Sequence, residues 1–393
     1  MLNKKTLKDV TLKDRRVLVR ADFNVPLADG RVRDDNRLVA ALPTLRHLLK
    51  SGAGLALCSH LGRPGGKVVD DLRMDPVGNR LSELLNLPVR KLDNCAGPEA
   101  EAAKAGLKPG EVILLENTRF HPGEKDNDPM FARRLADGVD LFVNDAFGTA
   151  HRAHASTVGV AEYLPGVAGI LMERELTALE KLRDRPETPV AALLGGAKVA
   201  DKIGVVERLL EMVDVLLIGG AMGITFLKAA GADINNGGVE ESALDNARDL
   251  LDRAGDRIVL PTDLVVAPEL AEDVETRTVT PGQVPKGWQV GDIGPKTVDA
   301  FTEHLLKARA VIWNGPLGVF EIPSFNSGTR GMGRRLAEID ADVYVGGGDT
   351  AAAVKDIGVA EQMAFISTGG GAFLKFLEGK TLPAVAALAD RSA

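Results

Sequence analysis

Cysteine is scarce: the 393-residue chain has only Cys58 and Cys95. Both sit in or beside apolar runs, a usage that fits reduced thiols in a cytosolic protein better than a disulfide. Long hydrophobic runs are missing too. The longest mostly apolar stretch, Val213 to Leu227, is interrupted by Asp214, Gly219, Gly220, Gly223 and Thr225, so it reads as strand, tight turn and helix and not as a membrane span. Lys4 and Lys5 near the N-terminus are followed by no apolar segment, so no signal peptide is expected. Positive charge is not in excess. Lys and Arg number 48 against 55 Asp and Glu, a net of −7, which gives nucleic-acid binding no electrostatic support. Low-complexity tracts, short-period repeats, an ordinary Walker sequence and the protein-kinase signature set are all absent. The expectation is a cytoplasmic protein with neither nucleic acid nor membrane as partner.

What is present is an ordinary globular composition, 45% hydrophobic and 26% charged, at a length that suits two domains. The two parts differ. Up to Arg185 there are 29 Lys and Arg against 26 Asp and Glu, a net of +3, and five of the six histidines; the remainder carries a net of −10 and 27 of the 43 glycines. Short aliphatic and β-branched runs recur in both. In the first they are Arg16–Arg20, Gly54–Ser59, Val89–Leu92, Val112–Leu115 and Leu141–Val143. In the second they are Val190–Leu194, Val215–Ile218, Ile258–Leu260, Ala310–Trp313, Val343–Val345 and Ala364–Ser367. Several are apolar throughout, as strands buried on both faces are, and they alternate with amphipathic segments of helical length. The fold class is therefore α/β: two Rossmann-like domains, each a parallel sheet covered by helices, joined by an inter-domain helix and hinge. That helix is Ile170 to Arg185, with Met172, Leu176, Leu179 and Leu182 at helical spacing and Pro186 and Pro189 to stop it.

Ligands of open parallel sheets sit beyond the carboxyl ends of the strands. In the first part these positions read Arg20-Ala-Asp22-Phe23-Asn24, Ser59-His60-Leu61-Gly62-Arg63, Glu116-Asn-Thr-Arg119 and Asn144-Asp145 through His151, Arg152 and His154, with Arg37 on the segment after the first loop. One such arginine alone reads as a solvated surface charge, and one histidine as a capping or packing residue. Several at successive strand ends imply a small substrate with several negative charges, because guanidinium forks bind carboxylate and phosphate bidentately. Asp22 and Asn24 are candidates to accept from a substrate hydroxyl. Gly62-Arg-Pro-Gly65-Gly66-Lys67 lacks the spacing of a phosphate loop and reads as a mobile loop after Arg63.

In the second part the strands run into Gly195-Gly196-Ala-Lys198, Gly219-Gly220-Ala-Met-Gly223, Asn314-Gly315-Pro316-Leu-Gly318-Val-Phe-Glu321, Gly346-Gly347-Gly348-Asp349-Thr350 and Ser367-Thr-Gly369-Gly370-Gly371. Each cluster lets backbone pass close to a ligand and opens a helix whose free N–H groups favour phosphate. Lys198 and Lys202, four apart, face the same way at a helix entry and suit a phosphate chain. Asp349 offers a hard oxygen for magnesium, and Glu321 an acceptor for a ribose.

These stretches, in this order and without a missing segment, resemble the motifs of phosphoglycerate kinases. The resemblance covers the chain from end to end, with differences confined to helices and connecting loops. It implies Mg-dependent phosphoryl transfer between 1,3-bisphosphoglycerate and ADP, giving 3-phosphoglycerate and ATP, in a monomer that closes around its ligands. By the resemblance, Asp22, Phe23, Asn24, Arg37, His60, Leu61, Gly62, Arg63, Arg119 and Arg152 bind 3-phosphoglycerate, with Arg37 nearest its carboxylate. Lys202, Glu321, Gly347, Gly348, Asp349 and Thr350 bind the nucleotide, and Asp349 holds the metal. Lys198, Arg37, Gly370 and Gly371 stabilise the phosphoryl group in flight. The implied domains are 1–169 with a returning tail of about 378–393, the helix 170–185, and 186–377. Another carboxylate kinase, or a non-catalytic protein that binds phosphorylated metabolites, are the alternatives.

Overall fold

The computed structural model describes residues 3–184, 186–196, 199–234 and 238–391. The chain divides into two compact units, Met1–Glu180 with Thr381–Ala393, and Lys181–Lys380.

The first unit is built on six parallel strands: β1 (Arg16–Arg20), β2 (Gly54–Cys58), β3 (Val89–Lys91), β4 (Val112–Leu114), β5 (Leu141–Asn144) and β6 (Gly166–Ala168), in the order β3-β4-β2-β1-β5-β6. β1 lies at the centre, and Val17, Leu18 and Val19 are all fully buried, so apolar side chains leave on both faces. On one face Val17, Val19, Leu55 and Leu57 join Leu38 and Leu45 of α1 (Asn36–Lys50) and Val77 and Leu81 of α2 (Asp75–Leu85) in a single apolar cluster. Burying each such side chain contributes about 1.5–3 kcal/mol. Helices α3 (Pro98–Ala105) and α4 (Pro129–Ala136) complete the layer set; α4 starts where Asp128 accepts the Phe131 N–H at 2.7 Å.

Helix α5 (Ile170–Asp184) runs on from β6, and its last residues belong to the second unit. Its first turn is fixed by buried groups of the first unit. Asp145 Oδ1 accepts the Leu171 and Met172 N–H groups at 2.9 and 3.2 Å, and the Thr44 hydroxyl accepts that of Ile170 at 2.9 Å. Met172, Leu176, Leu179 and Leu182 are buried, as their spacing predicts. Arg185, placed by the sequence at the end of this helix, lies outside the described residues.

The second unit has a six-stranded parallel sheet of β7 (Val190–Leu194), β8 (Val215–Ile218), β9 (Ile258–Val259), β13 (Ala310–Asn314), β14 (Asp342–Gly346) and β15 (Phe365–Ile366), in the order β9-β8-β7-β13-β14-β15. Between β9 and β13 the chain makes a separate antiparallel sheet of β10 (Leu264–Ala267), β11 (Arg277–Val279) and β12 (Gln289–Ile293), ordered β11-β10-β12. Helices α6 (Ile203–Met212), α7 (Gly220–Ala229), α8 (Leu244–Ala254), α9 (Pro295–Leu305), α10 (Ser327–Glu338), α11 (Gly348–Ile357) and α12 (Gly370–Leu377) alternate with these strands.

The two parallel sheets match the sequence expectation. The antiparallel sheet and β6 are additions to it. In each large sheet the strand order reverses beside the first strand, and there hydrogen bonds tie the two carboxyl ends together. Asp145 N–H reaches Arg20 O at 2.8 Å in the first unit. Gly195 N–H reaches Asn314 O at 2.9 Å and Gly196 N–H reaches Pro316 O at 3.0 Å in the second. Among the described residues no helix is long and apolar enough to cross a membrane.

Candidate active site

In the first unit the strand ends hold a cluster of cations with few counter-charges. Arg37, at the start of α1, donates through Nη1 to Asp22 Oδ2 at 3.0 Å. Arg119 follows β4 in a short 3-10 turn. Its Nη1 donates to Gly62 O at 2.7 Å, while its buried Nε has no hydrogen-bond partner among the described residues. Burial and the nearby Arg152 and Arg20 push its pKa down to about 10, a sign of cations crowded together. Arg152 donates through Nε to His151 Nε2 at 3.1 Å. His60, 3% exposed, lies among them: burial first, then Arg20, Arg119, Arg152 and Arg37, hold its imidazolium well below the ordinary range. A site that crowds guanidiniums around a neutral histidine is short of negative charge, and an anion would supply it.

The loops are held as well as the charges. Asn24 Oδ1 accepts the Gly62 N–H at 2.8 Å. That bond fixes the amide and presents its NH2, so Asn24 offers a donor where the sequence reading gave it an acceptor role. Gly62 has φ +63°, and a Cβ there would meet Leu72 at 2.7 Å, which explains glycine at this bend. Phe23 and Leu61 are core residues, 0% and 1% exposed. Their N–H groups are taken by Ser59 Oγ at 2.8 Å and Asn117 Oδ1 at 3.1 Å, so both support the loops from beneath. Arg63 is exposed and has no ion-pair partner among the described residues.

In the second unit Lys202 donates to Gly195 O at 2.7 Å and Asn314 Oδ1 at 3.1 Å, bridging the two strands at the reversal point. Burial lowers its pKa to about 8, with Asp349 acting the other way. Asn314 Nδ2 in turn donates to Gly346 O at 2.7 Å, and Thr350 Oγ1 accepts the Gly315 N–H at 2.7 Å. The Thr350 side chain is thus used inside the scaffold; its N–H stays among the first three of α11, which have no acceptor within the helix. Gly347 has φ +100°, and Gly370 packs so closely on it that a Cβ would fall 2.7 Å from Gly347 Cα. Gly370 and Gly371 open α12, so two glycine-started helix N-termini lie side by side.

Asp349 is exposed at the second position of α11, without an ion pair among the described residues. Among those residues no group of three or more His, Cys, Asp or Glu gathers into a metal cage. A single free carboxylate beside unsatisfied N–H groups fits a magnesium ion that takes its remaining ligands from water and a bound phosphate chain. Lys198 lies outside the described residues.

Beside these turns is a cavity of about 380 Å³ with Glu321 and Asp349 on its lining and Ala221, Ile224, Leu264 and Val290 among its apolar walls. The sequence reading places Glu321 but misses these walls, because two of them come from the antiparallel strands it does not anticipate. Asp292 also lines the cavity; burial pushes its carboxyl up to about 7 against the N–H groups of Gly328 and Ile293, which it accepts at 2.6 and 2.9 Å. A cavity with apolar walls beside glycine-started helix N-termini is of a kind that suits a nucleotide.

A family model described as phosphoglycerate kinase matches residues 7–380. The phosphoglycerate kinase of Rubrobacter xylanophilus is 54% identical over 390 residues, covering 99% of this chain and 99% of that protein. That of Moorella thermoacetica is 54% identical over 391 residues, covering 99% and 100%. Among solved structures, phosphoglycerate kinase from Coxiella burnetii aligns with a TM-score of 0.87 at 40% identity, and that from Pyrococcus horikoshii with 0.88 at 34%, each over 98% of both chains.

Proposed function

The chain belongs to the phosphoglycerate kinase family, phosphotransferases with a carboxyl group as acceptor, and from that premise we propose that it transfers the acyl phosphate of 1,3-bisphosphoglycerate reversibly to ADP, giving 3-phosphoglycerate and ATP. The observation that carries this reading is the crowding of Arg37, Arg119 and Arg152 around a neutral His60, with Asp22 as close counter-charge. Such a cradle suits a ligand with a phosphate at one end and a carboxylate at the other. In this reading Asp22, Asn24, Arg37, His60, Gly62, Arg63, Arg119 and Arg152 hold the acid, with Phe23 and Leu61 beneath them. Lys202, Glu321, Gly347, Gly348, Asp349 and Thr350 hold the nucleotide.

In the ATP-forming direction the bond from phosphorus to the acyl oxygen breaks and one to the β-phosphate oxygen of ADP forms. The leaving group is a carboxylate, so no strong general base is required. The demand is in-line placement and positive charge around three equatorial oxygens. Lys198, Arg37 and the N–H groups of Gly370 and Gly371 meet it. When bound with the nucleotide at Asp349, magnesium would neutralise phosphate charge. Acyl phosphates hydrolyse, so we further propose that the two units close on their ligands and exclude water. A cytoplasmic monomer is part of the same reading.

The test is a coupled assay with 3-phosphoglycerate and MgATP. Turnover with this acid, and none when acetyl phosphate replaces 1,3-bisphosphoglycerate in the reverse direction, is the expected result. Binding of both ligands by calorimetry without turnover would overturn it.

A further inference from the structure

Arg20 ends β1 and is fully buried. It belongs to none of the proposed ligand contacts, yet each of its three guanidinium nitrogens has a partner. Nε donates to Ser156 Oγ at 2.9 Å, Nη1 to the Ala21 carbonyl, and Nη2 meets His60 Nδ1 at 3.1 Å. Ser156 passes the contact on: its hydroxyl donates to Glu124 Oε1 at 2.6 Å, and its N–H donates to Glu124 Oε2 at 3.0 Å. Glu124 is itself fully buried and also accepts from the Thr118 hydroxyl at 3.2 Å. A buried cation and a buried carboxylate are therefore linked through one hydroxyl, 136 residues from Arg20 in the chain.

Arginine has donors and no acceptor. The His60 nitrogen facing it must present a lone pair, so Nδ1 carries no proton. The ring's remaining proton is then on Nε2, which has no hydrogen-bond partner among the described residues. We propose that Arg20 is a positioning residue that locks His60 as the neutral Nε2–H tautomer, so that His60 meets the anionic substrate as a hydrogen-bond donor and never as a cation.

The groups facing His60 agree. Arg37 from α1, Arg119 from the turn after β4 and Arg152 from the loop after β5 all oppose a second proton on the ring. The one acid within ion-pair range among the described residues, Asp22, stands 3.9 Å from Nδ1 and is already paired with Arg37 at 3.0 Å, too distant and too committed to hold an imidazolium. The consequence is specific: the site keeps its donor at constant charge across neutral pH, although a histidine ordinarily titrates there.

The inference rests on the assignment of 3-phosphoglycerate to the first unit, but its first test does not. Nitrogen-15 spectra of the ligand-free protein, with His60 assigned by its loss in His60→Gln, should show one pyridine-like and one pyrrole-like ring nitrogen from about pH 5.5 to 8. In Arg20→Gln the ring should lose its fixed tautomer while staying neutral, since burial, Arg37, Arg119 and Arg152 remain. Arg20→Gln combined with Glu124→Gln removes both buried charges together and guards against misfolding. Ser156→Ala disturbs the same buried link without touching the ring, and should leave the His60 signature unchanged. The second arm is calorimetry with 3-phosphoglycerate. Arg20→Gln should bind about tenfold more weakly than the parent protein, at about pH 8 and at about pH 6 alike. A cationic or Nδ1–H His60 in the parent near neutral pH, or an unchanged tautomer in both Arg20 variants, would overturn the proposal. Absence of 3-phosphoglycerate binding by the parent would sink the functional assignment instead, leaving the spectra to decide the role of Arg20.

Discussion

Asp22 Oδ2 holds Arg37 Nη1 at 3.0 Å, and this contact decides where a half-exposed guanidinium points. Its energetic worth as a partly exposed ion pair is small, about 0–1 kcal/mol. Its worth in placing Arg37 is larger. Asp22→Ala leaves the cradle more positive yet less ordered, so the two effects separate. Inorganic phosphate should inhibit more strongly, while kcat/KM for 3-phosphoglycerate falls about tenfold. Steady-state kinetics with and without added phosphate check both signs.

Lys202 gives a pH dependence to nucleotide binding. Its ammonium faces Gly195 O and Asn314 Oδ1, and burial lowers its pKa to about 8. Below that value the ligand-free site is cationic; above it the charge is lost. Affinity for ADP and ATP should therefore decline as the pH rises through about 8. Lys202→Met should bind nucleotide at least about tenfold more weakly at about pH 7 and with a flat profile from there to about pH 9. Calorimetric titration across that range is the measurement.

The strand ends are legible in the sequence because parallel-sheet proteins put their chemistry at those positions, where local motifs are long. Gly54 to Cys58 and Ala310 to Asn314 read as strands because they are nearly free of polar side chains, and every residue in them is buried. β6 is not legible: three residues beginning with Gly166 give no pattern to count. The antiparallel sheet is hidden for a related reason, since its strands alternate weakly and are separated by proline-bearing loops, the first of them acidic. The same gap conceals Leu264 and Val290 as cavity walls. Arg20 stands inside a recognisable motif, but its contacts run to His60 and Ser156, partners that spacing along the chain does not announce.

His60 and His154 set the acid limit of the first unit. His154 is 7% exposed, and burial followed by Arg119, Arg20 and Arg152 lowers its pKa to about 4. His60 is displaced in the same direction. Folded, both are neutral where an unfolded chain, with an ordinary value near 6.5, takes up protons. The contribution of His154 to stability is thus present above about pH 6.5 and is lost as the pH falls from there toward 4, and His60 acts in the same direction. Within that window His154 contributes a slope of up to about 1.4 kcal/mol per pH unit. Asp145, whose carboxyl burial pushes up to about 6, works in the opposite sense, so the comparison must be with a variant. His154→Gln should show a shallower decline in denaturant midpoint between about pH 6.5 and 4.5 than the parent protein.

Lys198 is proposed to stabilise the phosphoryl group in flight together with Arg37 and the N–H groups of Gly370 and Gly371. Replacing it with alanine should lower kcat by about 10²–10³, the usual cost of one preorganised charge, with modest change in either KM. Near-normal turnover would remove Lys198 from the mechanism and leave Arg37 and the α12 N-terminus to carry it.

The two glycine-started helix ends make opposite predictions for the same substitution. A Cβ on Gly370 would fall 2.7 Å from Gly347 Cα and 3.2 Å from Gly347 N. Both are backbone atoms that no rotamer change can withdraw, so α11 and α12 would have to separate. Gly370→Ala should cost about 1–3 kcal/mol of stability, as overpacking does, and should weaken nucleotide binding because the α11 N-terminus moves with Gly347. Gly348, the residue that follows Gly347, has open space where a Cβ would stand, with no atom within 4 Å, and its φ lies outside the left-handed region. Gly348→Ala places a better helix former at the first position of α11, so stability should be unchanged or higher by up to about 1 kcal/mol. Paired denaturation curves of the two variants measure the difference directly. Equal destabilisation would mean that the contact between the two turns is not what requires glycine at position 370.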